Sequence, residues 1–354
     1  MDEPPIKTKL RQHFSLLILT AIPFFYYAYF RNDFLGYDTY QFAQTTGLPR
    51  TTLIGLAWIA CWITSIALAE TGQTLNPKHG WKAGYLAVLS EYYLATFMQI
   101  ETETFAFAFF TIALCGFIYM EIKNKWNIKG TIASLISAGA GFMLWPGTSL
   151  IAWPFVVLYL HTFSPETLLL LFKPDLRIVE SQFLGALLPT GLLWLGLIGW
   201  GKQHKTTSFY CLFYIIIGLI SPKFAFLMIP YLALGLIQIK NKLLFQVIDY
   251  ATITIILLSF IFILVAPPTT AEHQAIEIGI QKAKETSQQI NNDWYLGHMI
   301  NYYGGQTKSA YSPDNQQPFL AGEIIITSQA LDCKPIGPFI NCTQSYGKPT
   351  VYRC

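Results

Sequence analysis

A chain of 354 residues with 53% hydrophobic side chains, only 12% charged ones and a mean hydropathy of +0.40 lies far from the composition of soluble domains. Its net charge of +3 comes with no basic stripe interleaved with aromatics, so no nucleic-acid partner is expected. A small soluble enzyme and a secreted disulfide knot are poor readings too. The composition points to an all-α polytopic membrane protein, an integral protein of the plasma membrane whose first partner is the lipid bilayer.

A spanning helix needs about 20 mostly apolar residues. On that measure spans are expected near 14–30, 51–69, 82–100, 104–120, 130–145, 148–162, 182–200, 207–221, 223–239 and 243–266. The first run lacks a small-residue cleavage pattern and is expected to stay as a span. Lys7, Lys9 and Arg11 precede it, which predicts a cytoplasmic N-terminus. Residues 31–50 then form an outer loop, Lys78 to Lys82 lie inside, Glu101 to Glu103 outside, and the loop with Lys123, Lys125 and Lys129 inside. Ten simple crossings would leave Lys202/Lys205 and Lys240/Lys242 outside and bring the tail inside, against the positive-inside rule. One further crossing or re-entrant half-helix at Ser164 to Phe172 reverses both, so about 10–11 transmembrane helices are expected.

Two domains follow: residues 1–266 in the membrane, and a small extracytoplasmic α+β tail at 267–354. In the tail, Ile276, Ile280, Ala283 and Ile290 recur at near-helical spacing and predict an amphipathic helix. GEIIITS and TVYRC read as two short strands with a cysteine loop between them. Cys61, Cys115 and Cys211 fall in apolar runs and read as packing residues. Cys333, Cys342 and Cys354 fall in the polar tail; outside the cell, a Cys333–Cys342 bridge across a turn at Pro335-Ile336-Gly337-Pro338 is expected, with Cys354 left over. Asn341-Cys342-Thr343 is a glycosylation sequon, of a kind that arises by chance in a chain of this length.

The residues that carry chemistry are acids which this topology brings to one side. Asp33 and Asp38 lie in the first outer loop, RNDFLGYDTYQFAQTTG, and Glu101-Thr102-Glu103 forms the turn between the third and fourth spans. Convergent carboxylates are hard oxygen donors that suit Mg²⁺ or Mn²⁺, and such an ion can neutralise a phosphate leaving group. An isolated pair of loop acids is more often simply solvated. Here Gly36, Tyr37, Tyr40 and Phe42 surround Asp38 with apolar and aromatic surface, as at an interfacial site.

The order of these features, a basic N-terminus, one span, a loop with GYDTY, two spans, then ETE leading into FAFAFF, resembles the GT-C superfamily of membrane glycosyltransferases, most of all archaeal oligosaccharyltransferase catalytic subunits. The resemblance covers residues 10–160 and continues over the later spans by hydropathy alone. It implies a polyprenyl-phosphate-linked or pyrophosphate-linked sugar donor, a protein or glycan acceptor, and a divalent metal, Mg²⁺ or Mn²⁺. Asp38 takes the place of the loop-one aspartate, as catalytic residue and metal ligand. Glu101 and Glu103 take the place of the second metal-binding motif, with Glu103 also catalytic. Trp145-Pro146-Gly147 resembles the family's Trp-Gly-Gly break. NNDWYLGHMINYYGG is similar to the acceptor-binding WWDYG signature, aligned on Gly297, with Trp294 and His298 beside it. Tyr295 then stands where the family has its aspartate, with Asp293 two residues early. The soluble part is shorter than in full-length members, and no clear equivalent of their late-loop glutamate is present.

Glu91 sits inside the third span, where an acid either lines a substrate cavity or hydrogen-bonds a tyrosine near the interface. Asp249 poses the same question near a span end. A donor phosphate needs a cation, and Arg177, Lys173, Arg50 and His161 lie nearest to outer loops, with Arg177 ranked first. Substrate-binding candidates are therefore Tyr37, Tyr40, Glu91, Trp145, Arg177, Trp294 and His298. A transporter or lipid flippase built around Glu91 is the alternative from another class, although no inverted repeat supports it. A non-catalytic subunit of a glycosylation complex is a third reading.

Overall fold

The computed structural model describes residues 6–30, 37–123, 128–144, 196–200, 228–239, 241, 243, 245–247, 250, 254, 271–293, 296–311, 324–327, 334–337 and 350–353. The chain is mostly helical and divides into two compact units. One comprises residues 1–25 and 54–264, the other residues 26–53 and 265–354. The segment after the first helix thus belongs with the C-terminal tail, a grouping that hydropathy does not show.

Among the described residues, the secondary structure of unit one is helical, with no strand. Helix α1 (Ile6–Phe30) lies against α3 (Arg50–Leu75) through polar contacts inserted into apolar faces. The indole of Trp58 donates to Thr20 Oγ1 at 3.2 Å and that of Trp62 to the His13 carbonyl at 3.3 Å. Farther along, Glu70 accepts from Lys9 at 3.1 Å and pairs with His13 at 2.9 Å, and Gln73 donates to Gln12 at 2.6 Å. The N-terminal end of α1 therefore meets the C-terminal end of α3. The two helices Arg50–Leu75 and α6 (Thr102–Lys123) are long and apolar enough to cross a membrane.

The expected straight span at 82–100 is replaced by two short helices, α4 (Lys82–Val88) and α5 (Glu91–Met98). With 7 and 8 residues they rise about 10 to 12 Å each, against about 30 Å of hydrocarbon. Both helices are held by protein contacts at the same part of α3, around Ser65. The Tyr93 hydroxyl of α5 lies 3.2 Å from Ser65 Oγ, and the Tyr93 ring packs with Phe97 and Phe107. Gly84 of α4 touches the α3 backbone, leaving no room for a Cβ beside the Ser65 carbonyl oxygen. Beyond α6, helix α7 (Ile128–Leu144) folds back along it as a hairpin. Two later pieces, α8 (Gly196–Trp200) and α9 (Met228–Leu236), pack together, with the Trp200 indole donating to the Tyr231 carbonyl at 2.8 Å. Every residue of α9 is buried.

Unit two is a mixed sheet with helices. Residues 31–50, expected as a loop, contain helix α2 (Tyr37–Thr46). Thr39, Tyr40 and Ala43 bury one face of it, and Gly47 ends it at a φ of 64°, the left-handed geometry that closes helices without a Cβ clash. The expected amphipathic helix is α10 (Ala271–Thr286), with Ala275, Ile276, Ile280 and Ala283 buried; Ile290, read as part of it, is a strand residue instead. The strands are β1 (Ile290–Asp293), β2 (Thr307–Tyr311), β3 (Ile324–Thr327), β4 (Lys334–Gly337) and β5 (Thr350–Arg353), in the order β2-β1-β3-β5-β4. β1 pairs parallel with β2 and β3, whereas β5 pairs antiparallel with β3 and β4. Ile324–Thr327 of GEIIITS and Thr350–Arg353 of TVYRC are strands, as expected. Pro335 to Gly337, expected as a turn, are strand residues of β4: this segment lies at the sheet edge, where a proline needs no ladder donor. Helix α11 (Gly297–Tyr302) connects β1 to β2.

Candidate functional site

In unit one the acidic turn is built by a strained backbone and a buried hydroxyl. Ile100, fully buried, has a φ of 50°. A β-branched residue there costs about 1–3 kcal/mol, and such strain persists only where the surroundings over-determine it. It turns the chain from the end of α5 into α6. Thr104, 1% exposed, locks the turn: its hydroxyl accepts from the Glu101 N–H at 3.0 Å and donates to the Thr96 carbonyl at 2.7 Å. Glu101 and Glu103 are both half-buried. Glu103 stands in the first turn of α6, where the helix dipole favours a carboxylate, and its Oε2 accepts from Thr102 Oγ1 at 2.8 Å.

Among the described residues of unit one, the turn lies at the end away from the basic side chains. Thr71, one position beyond Glu70, donates to the Cys115 carbonyl at 3.5 Å, which fixes the level of α6 against α3. Glu103 precedes Cys115 by about 18 Å of helix rise, while Lys123 follows it by about 12 Å. Lys9 and His13 meet Glu70, next to Thr71, and Lys78 and Lys82 follow the end of α3.

In unit two the structure joins two segments that sequence reading treats separately. Helix α2, which carries Tyr37, Asp38 and Tyr40, packs on α11, the helix that begins at Gly297. Tyr40 is 1% exposed and meets the ring of Tyr302 edge-on at 5.3 Å and that of Tyr303 at 5.8 Å. Tyr303 in turn packs at 4.5 Å on His273 of α10, whose Nε2 lies 3.0 Å from Glu277 Oε1. His298 is half-buried in the first turn of α11. Arg50 is engaged at the end of α1, donating to the carbonyls of Tyr27 at 2.6 Å and Ala28 at 3.2 Å with its guanidinium over the Tyr27 ring.

Trp145, Arg177 and Trp294 lie outside the described residues, as do Asp33, His161, Lys173, Asp249, residues 164–172 and the cysteines at 333, 342 and 354. The side chains of Tyr37, Asp38 and Glu91 lie outside them as well, although each backbone is helical. Among the described residues no three His, Cys, Asp or Glu side chains cluster as a metal site. The Glu101 and Glu103 carboxylates, two positions apart, offer hard oxygen donors that fit Mg²⁺ or Mn²⁺ in kind. The sequence reading missed Tyr302, Tyr303 and His273. The doubled tyrosine one turn beyond Gly297 was the available signal, but nothing local says that Tyr40 is its partner. No family model, curated protein or solved structure matches the chain.

Proposed function

We propose that the chain is an integral-membrane glycosyltransferase of GT-C type that takes its sugar from a polyprenyl-phosphate or pyrophosphate donor. The acceptor is extracytoplasmic, protein asparagine by preference and a hydroxyl otherwise. The observation that carries this reading is the packing of α2 on α11: the segment resembling the family's loop-one aspartate and the segment resembling its acceptor signature form one compact piece of unit two. Charge placement among the described residues of unit one is consistent with it, with ETE at one end and Lys9, His13, Lys78, Lys82 and Lys123 toward the other, as the positive-inside rule requires of an outward-facing acidic turn. Large apolar side chains exposed on α1, α3 and α7, among them Phe14, Phe25, Ile59, Ile63, Ile136 and Met143, suit contact with lipid tails.

In this reading Asp38 orients or deprotonates the acceptor group and also serves as a metal ligand. Glu101 and Glu103 are the carboxylates that would hold Mg²⁺ or Mn²⁺, which supplies charge neutralisation at the departing phosphate. Thr104 and Ile100 fix the backbone that presents these two acids. The test is transfer in vitro from a lipid-linked sugar by the purified chain. Asp38→Ala and Glu103→Ala, expressed at normal levels, are each expected to abolish it; activity retained in both variants ends the proposal.

A further inference from the structure

The basic end of unit one carries a second organised surface. The side chain of Asn76 accepts from the backbone N–H groups of Lys78 and His79, both at 3.2 Å, and donates to the Ile237 carbonyl at 2.6 Å. The His79 ring stacks on Phe245 at 4.2 Å with 15° between planes. Lys82 donates to the Phe245 carbonyl at 3.4 Å and faces the rings of Trp81 and Phe245 at 5.7 and 5.5 Å. Three ties therefore hold residues 76–82 against 237–245. No Asp or Glu occurs in the sequence between Glu70 and Glu91, or between Glu180 and Asp249, so both segments are free of acids. Glu70 is engaged by Lys9 and His13. Lys78 is exposed, and the half-exposed indole of Trp81 makes no hydrogen bond among the described residues.

We propose that this surface binds a phosphate-bearing anion, the headgroup of an acidic phospholipid, with Lys78 supplying the charge and the Trp81 N–H a directed donor. An acid-free loop at a helix end that carries an exposed lysine and a half-exposed indole matches that chemistry. Asn76 is a positioning residue, since it sets the loop without offering charge. The proposal rests on the membrane placement above and is independent of glycosyl transfer, so loss or retention of transfer in Asp38→Ala leaves it untouched.

The test titrates the detergent-purified full chain with short-chain phosphatidylglycerol, short-chain phosphatidylcholine or inorganic phosphate, following the thermal unfolding midpoint. Phosphatidylglycerol is expected to raise the midpoint saturably and phosphatidylcholine to leave it unchanged. Lys78→Gln should shift half-saturation to about fivefold higher lipid, and Lys78→Arg should restore it. Trp81→Phe should weaken the response without abolishing it. An equal shift with inorganic phosphate would retain the anion site and assign it to a free phosphate compound. Equal responses to the two lipids, or an unchanged half-saturation in Lys78→Gln, would overturn the proposal.

Discussion

Replacing Gly84 by alanine tests the packing of unit one at its tightest point. The new Cβ would fall inside the 3.0 Å that real Cβ atoms keep from the Ser65 carbonyl oxygen, with Leu16 Cδ1 at 3.2 Å and Ala69 Cβ at 3.3 Å. Leu16 can change rotamer, but the Ser65 carbonyl belongs to the interior of α3 and cannot give way without moving the helix. Overpacking of this kind costs about 1–3 kcal/mol. Alanine returns about 1 kcal/mol through its higher helix propensity, so the net loss is about 0–2 kcal/mol. Gly55, also in α3, is the control, since its added Cβ meets nothing within 4 Å. Gly55→Ala should therefore stabilise by up to about 1 kcal/mol. The propensity gain is common to both variants, so their difference isolates the steric cost. Thermal unfolding of both purified proteins in one detergent, at one scan rate because such transitions are often irreversible, measures that difference. A Gly84→Ala midpoint equal to or above that of Gly55→Ala would refute the close α3–α4 approach and with it the break in the third expected span.

Thr104→Val keeps the shape but removes the hydroxyl that joins Glu101 N–H to the Thr96 carbonyl; a loss of about 1–3 kcal/mol is expected in the same assay. If the turn presents the acids, this variant should also lower kcat for transfer below that of a Thr102→Val control. Arg50→Gln strips the last turn of α1 of a charge-assisted partner, and a cost of about 1–3 kcal/mol should appear as a lower midpoint. In unit two, the hydrogen bond from Lys282 at 2.7 Å holds the Glu285 carboxyl below its ordinary pKa. Its stabilisation is thus complete above the ordinary carboxylate pKa and lost as pH falls through the lowered one. Lys282→Gln should move the Glu285 titration, followed by NMR, up toward the ordinary range, with at most a small lowering of the midpoint at pH 7 because the pair is exposed.

The amino-acid order alone determined whatever depends on neighbours a few positions apart. Ile276, Ile280 and Ala283 announce α10 because apolar residues repeat at the helical period, though Ile290, in the same pattern, became a strand residue, and Ile324 to Ile326 announce β3 because a short β-branched run favours a strand. The apolar lengths of α3 and α6, which are sufficient to cross a membrane, are equally local. Tertiary structure decided where those local tendencies are overruled. Residues 82–100 have the hydropathy of one span, yet they form two short helices, with Gly84 of the first and Tyr93 of the second both seated at Ser65 of α3. The helix at Tyr37–Thr46 needs a partner for Tyr40, and that partner, Tyr302, stands more than 250 positions away. Contacts at such separation leave no periodic trace, since their energy appears only once two distant faces have met. For the same reason the ETE turn was visible as a pair of acids, whereas the buried Ile100 and Thr104 that shape it were not.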